Sequence, residues 1–212
     1  MIDTLPLWAY NKDIYRRGSE SMKICLYGAS SDEIDRVYIS RTETLGEKMG
    51  KRGHALIFGG GAAGLMGAAA RGMTRAGGEI IGIAPSFFNV DGVLYEKCTE
   101  FIYTDTMRER KFEMENRADG FIITPGGIGT FEEFFEVLTL KQLGRHNKPI
   151  AIFNVKGYYD DIMDLIEKAS EGNCMKSACR ELVHAFTDAD EMLDYIENCD
   201  TSKLLPEQTK FL

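Results

Sequence analysis

Two glycine-rich stretches in this chain of 212 residues have spacings suited to holding an anion. The first is Gly59-Gly60-Gly61-Ala62-Ala63-Gly64-Leu65-Met66-Gly67 and the second is Pro125-Gly126-Gly127-Ile128-Gly129-Thr130-Phe131-Glu132-Glu133. Each follows a short apolar run and leads into an amphipathic one, so each reads as a turn from a strand into a helix. The start of a helix carries unpaired N–H groups and a partial positive charge. Glycine, lacking Cβ, lets those groups close on a phosphate. Gly59, Gly61 and Gly64 satisfy the dinucleotide pattern G-x-G-x-x-G, which by itself also fits a tight turn with close helix–sheet packing. A standard NAD site needs an acid at the end of the next strand to hold a ribose. That strand ends Gly82-Ile83-Ala84-Pro85, without one. The phosphate loop of nucleoside triphosphatases is excluded because Gly-Lys-Ser/Thr is missing. In the second stretch Pro125 stops the strand, and Thr130 is expected to cap the helix or to offer its hydroxyl to an anion.

Glu133 follows that second loop within the first turns of its helix. An acid there is ordinarily a dipole partner or a cap, a role that Glu132 can fill. On a helical projection Phe131, Phe134, Phe135 and Leu138 form one stripe, and Glu133 falls on the other side beside Glu136, Val137 and Leu140. Apolar residues on both sides predict a helix shared with a second subunit, hence a homodimer or larger homo-oligomer.

The elements that would position these loops alternate. Apolar runs at 23–27, 54–58, 79–84, 100–103, 120–124 and 150–154 read as strands, with a further one at 182–186. Helical periodicity covers 32–52, 65–76, 106–117, 130–143, 158–169 and 189–196, and 87–97 is irregular. Strands that are apolar throughout and alternate with helices imply a parallel sheet covered on both faces. The expected fold class is α/β, a single Rossmann-like domain with a mostly parallel sheet and helices on both faces. The expected organisation is an N-terminal arm over 1–22, the domain over 23–200 and a loose tail over 201–212. In such sheets ligands sit at the C-terminal ends of the strands, where both glycine loops fall.

Composition narrows the function classes. Hydrophobic residues make up 44% and charged residues 27%, a balance that excludes a disordered or fibrous chain. The formal net charge of -8 argues against sequence-independent nucleic-acid binding, which needs a basic face. No apolar run approaches the roughly 20 residues of a membrane span, and the N-terminus lacks a secretory pattern. Five cysteines without a C-x-x-C pair and only three histidines give no zinc pattern. They predict free thiols in a reducing cytoplasm.

The motifs together resemble the Lonely Guy (LOG) family of phosphoribohydrolases, which carries the label lysine decarboxylase in error. The family pattern Pro-Gly-Gly-x-Gly-Thr-x-x-Glu stands complete as Pro125 to Glu133. Met-x-x-Arg-Lys stands as Met107, Arg108, Glu109, Arg110 and Lys111, and Gly-Gly-Gly-x-x-Gly-Leu-Met-Gly stands as Gly59 to Gly67. Tyr27-Gly28-Ala29-Ser30-Ser31, Gln142-Leu143-Gly144 and the run from Asn154 to Tyr159 are also similar. The resemblance implies hydrolysis of a nucleoside 5'-monophosphate to free base and ribose 5-phosphate. It implies Arg110 and Glu133 as the catalytic pair, and substrate contacts at Lys111, at Gly127, Ile128, Gly129 and Thr130, and at Thr139. The loop positions Gly60, Gly61, Gly64 and Gly126 complete the expected phosphate contacts, and Ser30, Met107 and Asp91 are further candidates. Neither a cofactor nor a metal is implied. Molybdenum-cofactor carrier proteins are similar in the same glycine loops, so a nucleotide or molybdenum-cofactor carrier without hydrolysis is the alternative reading. The departures are Ala62 in place of a common serine, Leu140 in place of a common tryptophan, and an atypical stretch over 87–93.

Overall fold

The structure, a computed structural model, describes residues 21–200 and 206–209. Most of the expected arm (1–20), and 201–205 and 210–212 of the expected tail, lie outside the described residues. Seven strands form one parallel sheet: β1 Lys23–Tyr27, β2 Ala55–Phe58, β3 Ile80–Pro85, β4 Glu100–Thr104, β5 Gly120–Ile123, β6 Ile150–Phe153 and β7 His184–Phe186. Their order in the sheet is β4-β3-β2-β1-β5-β6-β7, and every neighbouring pair is parallel. The helices are α1 Arg36–Lys51, α2 Gly64–Ala76, α3 Met107–Arg117, α4 Ile128–Gln142, α5 Asp160–Glu171, α6 Ala189–Asn198 and the short α7 Pro206–Thr209.

The two-residue period of each strand divides the core into two layers. Ile24, Leu26, Leu56, Phe58, Ala151 and Phe153 pack with residues of α1, α2 and α6 on one face. Cys25, Tyr27, Ile57, Phe121, Ile123 and Ile152 pack with residues of α3, α4 and α5 on the other. Because both faces are covered, both side-chain registers are apolar, which is why the strands read as unbroken apolar runs.

Where the expected loose tail is described, it is an ordered contact. The α7 residue Thr209 is buried. Its hydroxyl donates to the Gln142 carbonyl at 2.8 Å, and its own carbonyl accepts from Gln142 Nε2 at 3.2 Å. The strand order reverses between β1 and β5, so the loops after these two strands diverge and leave a crevice at the sheet's C-terminal edge. Among the described residues, no helix is long and apolar enough to cross a membrane.

Candidate active site

The second glycine loop opens α4 two residues earlier than the sequence suggested. Gly127 occupies the N-cap position, no side chain caps it, and no acid lies in the first turn. Gly127, Ile128 and Gly129 are exposed, so the N–H groups at this end remain available to an anion. Thr130 therefore does not cap the helix. It lies a turn inside with its side chain buried against Gly126, where a Cβ would meet the Thr130 hydroxyl oxygen at 2.2 Å. Only glycine fits at 126.

The first loop uses its donors internally. The Gly64 N–H donates to the Asp32 carboxylate at 2.8 Å, Leu65 N–H to the Ala29 carbonyl at 2.8 Å and Ala62 N–H to the Val93 carbonyl at 3.0 Å. The expectation that Gly64 offers its N–H to a phosphate is thus corrected. The chain's own carboxylate fills the anion position at the start of α2. Gly60 is buried, with φ +77° and the Phe101 ring where a Cβ would stand, and Gly61 pairs with Leu94 in an isolated bridge.

Arg110 and Glu133 meet beside these loops. A capping box at the start of α3, in which Thr106 accepts from Glu109 N–H and Glu109 accepts from Thr106 N–H, fixes the entry of the helix and turns Arg110 toward the sheet. Arg110 Nη1 donates to Glu133 Oε1 at 3.0 Å, and its Nε donates to the Ile83 carbonyl at the end of β3 at 3.3 Å. A Cβ on Gly59 would lie 2.2 Å from Arg110 Nη2, so the first loop makes room for the guanidinium. Sequence reasoning missed this role of Gly59. Both side chains of the pair are nearly buried, at 10% and 12% exposure. Burial raises the Glu133 carboxyl above the ordinary glutamate range, and the Arg110 charge and hydrogen bond oppose that rise without cancelling it.

Lys111 points to two acids of α4, Glu132 and Glu136, the latter at 2.6 Å. Burial alone would lower its pKa, but the hydrogen bonds to both carboxylates carry it upward. Glu132 is accordingly an ion-pair partner and not a helix cap.

A cavity of about 340 Å³ lies along the β1/β5 crevice, lined by Ser30, Ser31, Tyr38, Gly126, Gly127 and Tyr158 among others. Neither Arg110 nor Glu133 lines it. Ser30 is thus brought to the second loop, while Met107 and Thr139 are exposed on α3 and α4. Asp91 is exposed on a turn and makes no ion pair with Arg110 or Lys111 among the described residues. Tyr158 also escaped the sequence reading as a site residue, although its stretch was noted. Its hydroxyl donates to the Gly126 carbonyl at 2.6 Å.

The two-sided reading of α4 is corrected as well. Its buried face is Thr130, Phe134, Val137 and Lys141, spaced i, i+4, i+7 and i+11. Val137 sits in the protein's own core, whereas Phe135 is 40% exposed. The buried Lys141 donates to the Leu182 carbonyl at 2.9 Å, and burial lowers its pKa to about 8.

On α3, burial and the nearby Glu136 raise the half-buried Glu115 carboxyl to about 7. A carboxyl whose folded pKa is raised holds its proton longer than the unfolded chain does. Stability therefore falls as pH rises from the ordinary value of about 4.3 to about 7, and stays lower above that. Glu115→Gln should remove the dependence and stabilise the protein at pH 8, by about 1 kcal/mol after allowance for solvent screening. Urea unfolding of both proteins at pH 5 and pH 8 checks this. An equal difference at the two pH values would refute it.

Comparison with known proteins agrees with this architecture. The protein-family model described as possible lysine decarboxylase matches residues 66–196. The cytokinin riboside 5'-monophosphate phosphoribohydrolase LOG2 of Arabidopsis thaliana is 35% identical over 179 residues, 84% of this chain and 84% of that protein. LOG3 of the same plant is 35% identical over 84% of this chain and 83% of its own length. Among solved structures, the molybdenum cofactor binding protein from Rippkaea orientalis superposes with a TM-score of 0.64 at 20% identity, covering 84% of this chain and 96% of that one, a likeness of fold alone. With a family model over more than half its length and relatives above 30% identity along most of it, the chain belongs to the Lonely Guy (LOG) family, whose model bears the lysine decarboxylase description.

Proposed function

We propose that the protein is a nucleoside 5'-monophosphate phosphoribohydrolase. It uses water to split the N-glycosidic bond and releases free base and ribose 5-phosphate. The observation that carries this reading is the nearly buried Arg110–Glu133 ion pair beside the uncapped start of α4. In this reading the 5'-phosphate rests on the N–H groups of the Gly127 to Thr130 turn. Positive charge develops on the ribose as the base departs, as in other glycoside cleavages. The Glu133 carboxylate stabilises that charge and orients the water, which delivers hydroxide to C1' while its proton leaves with the base. Arg110 holds Glu133 in place and offers its remaining donors to the sugar. Lys111 reaches the substrate by exchanging Glu132, which is 54% exposed and readily released to solvent.

The relatives named above act on cytokinin riboside 5'-monophosphates, which supports an adenine or N6-substituted adenine base. Binding without hydrolysis, as in a carrier, would leave a buried carboxylate–guanidinium pair with no work to do. The reaction is tested by incubating the protein with a panel of 5'-monophosphates, including those of adenosine and isopentenyladenosine, and measuring free base. We place the catalytic unit at 23–200, in the cytoplasm.

A homodimer belongs to the same proposal. Phe112 on α3 and Ile128 and Phe135 on α4 are exposed apolar residues on the two helices that carry the pair. The expected result is a dimer by light scattering and a monomer after Phe135→Asp. A wild-type particle of 23.8 kDa would refute it. Val137 is unsuitable for this test, because a charge at that fully buried site costs several kcal/mol of the 5–15 typical of a domain.

A further inference from the structure

We infer that Tyr158 is a positioning residue that aims the phosphate-binding N–H groups of the second glycine loop. The inference rests on the reading of that loop as a phosphate site. Three consecutive carbonyls of the loop are anchored by three different residues, one following β1 and two on the segment between β6 and α5. Thr124 O accepts from Tyr159 Oη at 2.9 Å, Pro125 O from Ala29 N–H at 2.9 Å and Gly126 O from Tyr158 Oη at 2.6 Å. A trans peptide is planar, with C=O and N–H pointing in opposite directions. Fixing a carbonyl therefore aims the next residue's N–H. The Ala29 anchor turns Gly126 N–H away from β1, and the Tyr158 anchor turns Gly127 N–H away from the Tyr158 hydroxyl. Gly127 needs such an anchor because it is exposed, has no Cβ and could otherwise rotate. The Tyr159 anchor precedes Pro125, which has no N–H to aim, so its role is confined to stability.

The two tyrosines are themselves held in place. Asn154 Oδ1 accepts from Tyr159 N–H at 2.8 Å, and Asn154 Nδ2 donates to Asp160 Oδ1 at 2.7 Å, which fixes the loop between β6 and α5. The Tyr158 ring stands edge-on to Tyr38 and to Tyr159. A phenylalanine at 158 keeps those contacts and loses only the hydroxyl.

The test compares wild-type protein with Tyr158→Phe and Tyr159→Phe. One net hydrogen bond is worth about threefold to tenfold in affinity. In Tyr158→Phe, KM for a nucleoside 5'-monophosphate and the inhibition constant of inorganic phosphate should both rise by about that factor. The value of kcat should fall much less, and kcat/KM for the nucleoside should not follow. Tyr159→Phe should lower the melting temperature more and phosphate affinity less. Unchanged phosphate affinity in Tyr158→Phe would overturn the inference, as would equal losses for nucleoside and monophosphate. If wild-type protein releases no base, the proposed reaction fails, and calorimetric titration with inorganic phosphate decides the loop separately. Tighter binding to wild type than to Tyr158→Phe upholds the inference, and equal or absent binding overturns it.

Discussion

Replacing Glu133 with Gln should lower base release by on the order of a hundredfold or more, while the fold survives. The amide keeps the shape and can still accept a hydrogen bond from Arg110 Nη1, so little packing is lost. What disappears is the negative charge that, in the proposed reaction, stabilises the ribose cation and orients water, a contribution of roughly 10²–10⁴ in rate for a positioned acid–base group. The pH profile adds a second signature. Burial holds the Glu133 carboxyl above the ordinary glutamate range, and in the proposed reaction the ionised form is the active one. Activity should therefore fall as pH drops through that raised value, and Glu133→Gln should lack this acid limb. Turnover that is unaltered in the variant would remove Glu133 from the reaction.

The substrate's 5'-phosphate should matter as much. The start of α4 has no side-chain cap and no acid in its first turn, whereas the start of α2 is occupied by Asp32. A phosphate on α4 gains charge-assisted hydrogen bonds worth about 1.5–3 kcal/mol each. Two of them amount to about a hundredfold or more in kcat/KM. Adenosine should react at least that much more poorly than its monophosphate. Equal rates would mean that the α4 turn does not hold a phosphate.

Much of the fold was legible in the sequence. Strands buried on both faces can only be apolar runs, so 23–27 and 120–124 were readable within a residue of β1 and β5. Helix starts were less so. The sequence reading began the first helix at Asp32, but Asp35 is the N-cap of α1, and Asp32 reaches across to Gly64, a contact between distant residues that local spacing cannot reveal. The apolar stripe of α4 misled because Phe131, Phe134, Phe135 and Leu138 satisfy helical spacing equally well. The sheet selects Phe134 and Val137 and leaves Phe135 outside. Arg110 lies 23 residues from Glu133, and only the family resemblance pointed to both as a pair. Tyr158 carried no signal of its own, since its role depends on a carbonyl 32 residues away.

The most direct measurement of the central claim is the product balance with a purine nucleoside 5'-monophosphate. We expect one free base and one ribose 5-phosphate for each molecule consumed, with both products lost together in Glu133→Gln. A nucleoside and inorganic phosphate as products, or tight binding of the monophosphate with no base released across the panel, would contradict it.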